Sequence, residues 1–227
     1  MQKRTPIYIC GLVVMAWGVV MLAKSDLGIS PLSAVPYILS LITPFTFGPM
    51  TFAFHLLCVL FQVVIWSKIT LKIILQVPLT LGFSALLDLF MSFITIAEPA
   101  IWLRAIFCLL GIILTALGIV MIVSMDLMLP PPDAFLRAVS SRFRIELYKV
   151  KIVGDVTWVV ITFVISLLFT RKILAIGIGT VLSMYLTGKF VGVFKKYLKF
   201  MEMEPTEVAW QRYLVQRRER KETVKTK

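Results

Sequence analysis

The chain has 227 residues, of which 59% are hydrophobic and only 16% charged, with a mean hydropathy of +0.92. A soluble domain carries about 25% charged residues, so this composition excludes an ordinary soluble enzyme, a disordered chain and a secreted disulfide scaffold. The net charge of +12 comes without any basic soluble fold, so nucleic acid is not an expected partner; the lipid bilayer is.

A helix crossing the bilayer needs about 20 mostly apolar residues. Such runs occupy residues 7–24, 49–67, 71–94, 101–123, 150–170 and 173–194, predicting an all-α integral membrane protein with six transmembrane helices. The first run is long for a signal peptide and no small-x-small cleavage site follows it, so it reads as an uncleaved helix. With both termini in the cytoplasm, the inner segments and tail hold 19 Lys and Arg residues, against 4 at the outer ends: Lys24, Arg104, Arg171 and Lys172. The excess of cytoplasmic Lys and Arg orients the chain N-in and C-in. Cys10, Cys58 and Cys108 lie inside the predicted spans. No Cys or His spacing suits a metal, so neither metal nor cofactor is expected.

The first and fourth spans align at an offset of 100. Gly11 faces Gly111, Gly18 faces Gly118, Asp26-Leu27 faces Asp126-Leu127, and Pro31 faces Pro131, within nine identities over 24 positions. Apolar bias does not place Gly, Asp and Pro in register. Further on, Trp66-Ser67-Lys68 corresponds to Thr170-Arg171-Lys172. Each unit is then a span, an irregular segment and two more spans. Three crossings per unit force the second copy to enter from the opposite face, giving two inverted three-helix repeats, an arrangement common in secondary transporters. The division is 1–98 for the first repeat, 99–200 for the second and 201–227 for a basic cytoplasmic tail.

The irregular segments run Asp26-Leu27-Gly28-Ile29-Ser30-Pro31 and Asp126-Leu127-Met128-Leu129-Pro130-Pro131-Pro132-Asp133. Proline suits the first turn of a helix, and the stretches that follow, to Ile42 and Phe143, are too short to span. Each predicts a broken half-helix. If re-entrant, it presents free N–H groups to an anion near Ser30 and Pro31 or their counterparts; if interfacial, it anchors.

The Gly11-x6-Gly18 span, the Asp26-Leu27-Gly28-Ile29-x-Pro31 segment, the Phe47-Gly48-Pro49 start and Gly177-Ile178-Gly179-Thr180 together resemble the YczE/YitT-like bacterial membrane proteins, over roughly residues 8–195. The resemblance implies a multi-pass protein of the bacterial inner membrane and little chemistry. In the second copy Asp133 and the prolines match the Gly-Pro-x-Asp pattern of those proteins but the glycines do not, and Ser33 takes the acid's place in the first copy.

Polar groups inside lipid are costly and default to functional candidates. Asp88 lies a turn or more inside the outer end of the third span, as a proton-coupling group or an acid bonded to a neighbouring helix. His55, the one histidine, could titrate near neutrality or serve packing. Asp133 and Arg137, four apart, are expected to pair with each other, and Asp155 with Lys151. Asp26, Asp126 and Pro131 form the repeat motif. No catalytic motif occurs. These features predict a small secondary transporter for a small metabolite, an anion being the class that helix ends favour. The alternatives are a non-transporting scaffold or regulator, or a substrate-binding subunit of a larger transporter; a homo-oligomer fits any of them.

Overall fold

A computed structural model describes residues 4–94 and 100–198; Glu98 and the basic tail lie outside the described residues. Among the described residues there are eight helices: α1 Arg4–Lys24, α2 Pro31–Ile42, α3 Phe47–Trp66, α4 Leu71–Phe93, α5 Ile101–Ser124, α6 Pro131–Phe143, α7 Leu147–Thr170 and α8 Ile178–Tyr197. Five of them (α1, α3, α4, α5 and α7) are long and apolar enough to cross a membrane. α8, with 20 residues, is not among those five; by length alone the order long, short, long, long occurs twice.

Backbone chemistry explains the breaks. Asp26 and Asp126, at φ 55° and 46°, end α1 and α5 in the left-handed conformation, which Asp tolerates better than most residues. Ser67 and Arg171 end α3 and α7 the same way, at φ 49° and 54°. Pro31 and Pro131 occupy the first turns of α2 and α6, where a missing N–H costs nothing. Residues 100 apart, or 104 apart, thus perform the same terminations.

α1 and α5 form the spine. A Cβ added to Gly11 would meet Met121, Ile122 and Gly118, while one on Gly18 would meet Thr115 and Gly111. Early α1 therefore lies on late α5, and the helices run antiparallel. The glycines let the backbones touch. Around this seam α4 packs on α1, α8 on α5, α2 on both α3 and α7, and α6 on both α3 and α7. The main core includes Leu12, Ala16, Val20, Ile112 and Ile122.

Both short helices start inside the bundle, with Pro31, Pro131 and Pro132 buried, and expose Leu41 in the last turn of α2 and Phe143 at the end of α6. The last helix begins at Ile178, later than the expected residue 173. Residues 173–177 are non-helical because other groups hold their backbone: Ile29 N–H donates to the Ala175 carbonyl (3.1 Å), and Leu174 N–H donates to Ser166 Oγ (2.8 Å).

Candidate functional site

Two linker junctions stand at opposite ends of the antiparallel α1–α5 spine. At one, the α1–α2 linker meets the α7–α8 linker. Gly179 N–H donates to the Leu27 carbonyl (2.7 Å) and Ile29 N–H to the Ala175 carbonyl (3.1 Å). The approach requires Gly28, whose φ of +114° suits glycine and whose added Cβ would lie 2.5 Å from Thr180 Oγ1. This junction is closed backbone against backbone.

At the other, the α5–α6 linker faces the α3–α4 linker. Met128 stands where the first junction has Gly28. Among the described residues no backbone hydrogen bond joins the two linkers. A cleft of about 480 Å³ separates them, lined by Lys68, Thr70 and Lys72 on one side and by Asp126, Met128 and Arg137 on the other. Three cations against one acid make its mouth attractive to anions.

Gln62 of α3 and Gln76 of α4 form the floor of this cleft, both buried. Gln62 Nε2 donates to Gln76 Oε1 (3.3 Å), to the Pro131 carbonyl (3.2 Å) and to the Cys58 carbonyl (3.3 Å); Gln76 Nε2 donates back to Gln62 Oε1 (3.4 Å). The pair ties α3 and α4 to the start of α6. Gln76 also lines a second, smaller cavity of about 20 Å³, with Tyr8, His55, Thr80, Phe83 and Pro131 around it. His55 is 7% exposed, and its Nδ1 has no hydrogen-bond partner. Its ring stacks on Phe83 (6.0 Å, 14°) and leans on Phe54 (6.1 Å).

The other candidates are dispersed. Asp88 sits at the opposite end of α4, where its carboxylate accepts from Gly48 N–H (2.7 Å) and the Thr46 hydroxyl (2.6 Å). It caps the N-terminus of α3, whose own N-cap Thr46 provides no side-chain cap. A negative charge there meets both the unpaired N–H groups and the positive end of the helix dipole. Asp133 does not pair with Arg137 as expected: Lys151 of α7 donates to Asp133 Oδ1 (3.1 Å), and Arg137 points to the cleft. Packing of α6 on α7 brings Lys151 to Asp133, which overrides the intrahelical spacing. The expected Asp155–Lys151 pair is consequently not made, and Asp155 Oδ1 is buried without a hydrogen bond. Asp26 pairs with Arg104 at the closed end (2.9 Å). Ser30 Oγ donates to Ser33 Oγ (3.3 Å), so the start of α2 is occupied by its own side chains. Among the described residues no group of three or more His, Cys, Asp or Glu side chains is placed to hold a metal ion.

Gln76, Thr80 and the cation pair Lys68 and Lys72 are site residues that sequence reasoning missed. The available signal was an amide inside an apolar span, at Gln62 and Gln76 alike. Residues 2–196 match a family of unknown function, DUF6198. The chain belongs to that family. No curated protein and no solved structure matches it.

Proposed function

We propose that this protein is a small secondary transporter for a small anionic metabolite, built from two inverted three-helix units with six crossings and both termini in the cytoplasm. The carrying observation is the contrast between the two linker junctions, one closed by backbone contacts and one open as a basic cleft. A transporter at rest with its pathway open to one side has this form. The antiparallel α1–α5 spine and the crosswise packing of α2 on α7 and α6 on α3 support the inverted repeat. α8, with 20 residues, supplies the sixth crossing. The buried starts of α2 and α6 support re-entrance. The bacterial inner membrane setting rests on the YczE/YitT-like motifs, and the non-enzymatic reading rests on the sequence, which carries no catalytic motif.

Reporter fusions test the orientation. Fusions after Ile69 and Ile145 are expected to report cytoplasm, and fusions after Thr43 and Arg171 the outside. A reversed signal at either pair overturns the assignment of the cleft to the cytoplasmic face.

Transport is tested in proteoliposomes loaded with a panel of small organic and inorganic anions. Exchange of at least one anion is expected. Lys72→Glu and Arg137→Glu each place a negative charge in the mouth; one such repulsion is worth about 1–2 kcal/mol near a surface, so exchange should drop about tenfold. Lys24→Gln, at the opposite end, should leave it unchanged. A folded protein that exchanges nothing favours the scaffold, and one that exchanges only with co-purifying subunits favours the component of a larger transporter.

A further inference from the structure

Four charged side chains stand where α6 meets α7, spaced as two sets of residues four apart: Asp133 and Arg137 on α6, Lys151 and Asp155 on α7. Residues four apart on a helix are within reach of each other, yet the structure makes neither pair. Lys151 Nζ bonds Asp133 Oδ1 across the two helices (3.1 Å), Arg137 lines the basic cleft, and Asp155 Oδ1 is buried without a hydrogen bond. Trp158 Nε1, one turn on, is also buried and donates to nothing. Both carboxylates lie within electrostatic reach of the one Lys151 ammonium. Of the helices around this set, α2 brings Tyr37, whose hydroxyl donates to the Ala23 carbonyl, and α3 brings Cys58, close to Asp133. α6 adds Arg142 in its last turn, about 13 Å along the helix from Asp133, and Lys149 of α7 is paired with Glu146.

A buried charge without a partner is costly, and that limits the arrangements open to the four groups. In the crosswise arrangement of the structure Lys151 neutralises Asp133. Asp155 is then balanced by a proton of its own, and Arg137 presents its charge to an anion in the cleft. In the intrahelical arrangement Lys151 neutralises Asp155 and Arg137 neutralises Asp133, so neither proton nor anion is needed. Taking up one without the other leaves a charge unbalanced. Asp133 keeps its charge in both arrangements, because it lies in the first turn of α6, where the helix dipole favours an acid.

We propose that these four residues couple one proton to one anion: Asp155 carries the proton, Lys151 is exchanged between Asp155 and Asp133, and Arg137 is exchanged between Asp133 and the anion in the cleft. This rests on the transport reading and names its coupling ion. When Asp155 gives its proton to water, its carboxylate draws Lys151 away from Asp133. Asp133 then takes Arg137, and the anion loses its guanidinium. The O–H of Asp155 is the one covalent bond broken. By linkage the bound anion in turn tightens the hold on the proton, as a symporter requires.

The exchange is read without transport, from the reaction of Arg137 with phenylglyoxal, followed by peptide mass in purified protein from mildly acidic to mildly alkaline pH. Asp155→Asn fixes the crosswise arrangement and is the reference at each pH, which cancels the reagent's own pH dependence. The parent protein should match it at the acidic end and react about tenfold more slowly at the alkaline end, where Asp133 covers the guanidinium with a charge-assisted bond. Asp133→Asn should match the reference throughout and replaces it if Asp155→Asn does not fold. Lys151→Met, which leaves Asp133 to Arg137, should be slow throughout. A parent rate that follows the reference at every pH overturns the exchange and leaves Lys151 and Asp133 a fixed pair; so does a fast, folded Lys151→Met protein. If the pH-dependent protection appears while proteoliposomes exchange no anion, the proton–anion linkage stands and the transport reading falls. If anions exchange but the protection is absent, transport stands and this coupling falls.

Discussion

Replacing Gly18 by leucine is expected to abolish recovery of folded, monodisperse protein. A Cβ at this position would lie 2.5 Å from the Thr115 backbone nitrogen and 2.8 Å from the Gly111 carbonyl oxygen. Overpacking a core with side chains that can shift costs about 1–3 kcal/mol; here the obstacle is the backbone of a facing helix, so α1 and α5 must separate along the seam. Gly111→Leu should fail equally, since its added Cβ would lie 2.8 Å from the Gly18 carbonyl oxygen and the Leu22 nitrogen. Gly82→Ala is the control: nothing lies within 4 Å of its added Cβ, and Ala is the better helix former by about 1 kcal/mol. Size-exclusion recovery and the melting temperature of the three variants check the expectation. Folded Gly18→Leu protein would mean that the seam is not the spine.

Asp88→Ala is expected to lower stability by about 1–3 kcal/mol, the cost of a buried donor left without its acceptor. Gly48 N–H and the Thr46 hydroxyl both give their hydrogen bonds to this carboxylate. Pro49 has no N–H to cap, and Asp88 satisfies the Gly48 N–H beside it in the first turn of α3. Asp88→Asn keeps one acceptor oxygen and loses the charge, and should fall between Ala and the parent. Thr46→Val removes one bond and should cost less than Ala at 88. Thermal denaturation of the series gives the ranking. A stable Asp88→Asn protein that loses only gradient-driven uptake would instead make Asp88 a coupling group.

Much of the backbone design was legible because backbone demands leave sharp residue preferences. Left-handed helix ends called for Asp26 and Asp126, close helix approach for Gly18 and Gly118, and first-turn positions for Pro31 and Pro131; all recur at one offset. Even the difference between the junctions was written down, as Gly28 against Met128 and as Gly177 and Gly179 in the partner linker. Its meaning was hidden because it depends on which linker meets which. Side-chain pairing was less legible for the same reason. Intrahelical spacing suggested Asp133 with Arg137 and Asp155 with Lys151, yet α7 delivers Lys151 to Asp133. Gln62 and Gln76 are separated by a helix end and the start of the next, and only the packing of α3 on α4 joins their amides.

The crosswise packing of the two units has a consequence for biosynthesis. α6, from the second unit, covers α3 and supplies the Pro131 carbonyl that Gln62 needs; α2, from the first, awaits α7. A ribosome that has delivered only the first unit leaves that amide without this partner in an apolar setting, and α1 with its glycine face bare. The half-made protein therefore keeps these surfaces uncovered until α5 to α7 arrive. Mutations in the second unit that prevent this packing would leave the first unit incomplete.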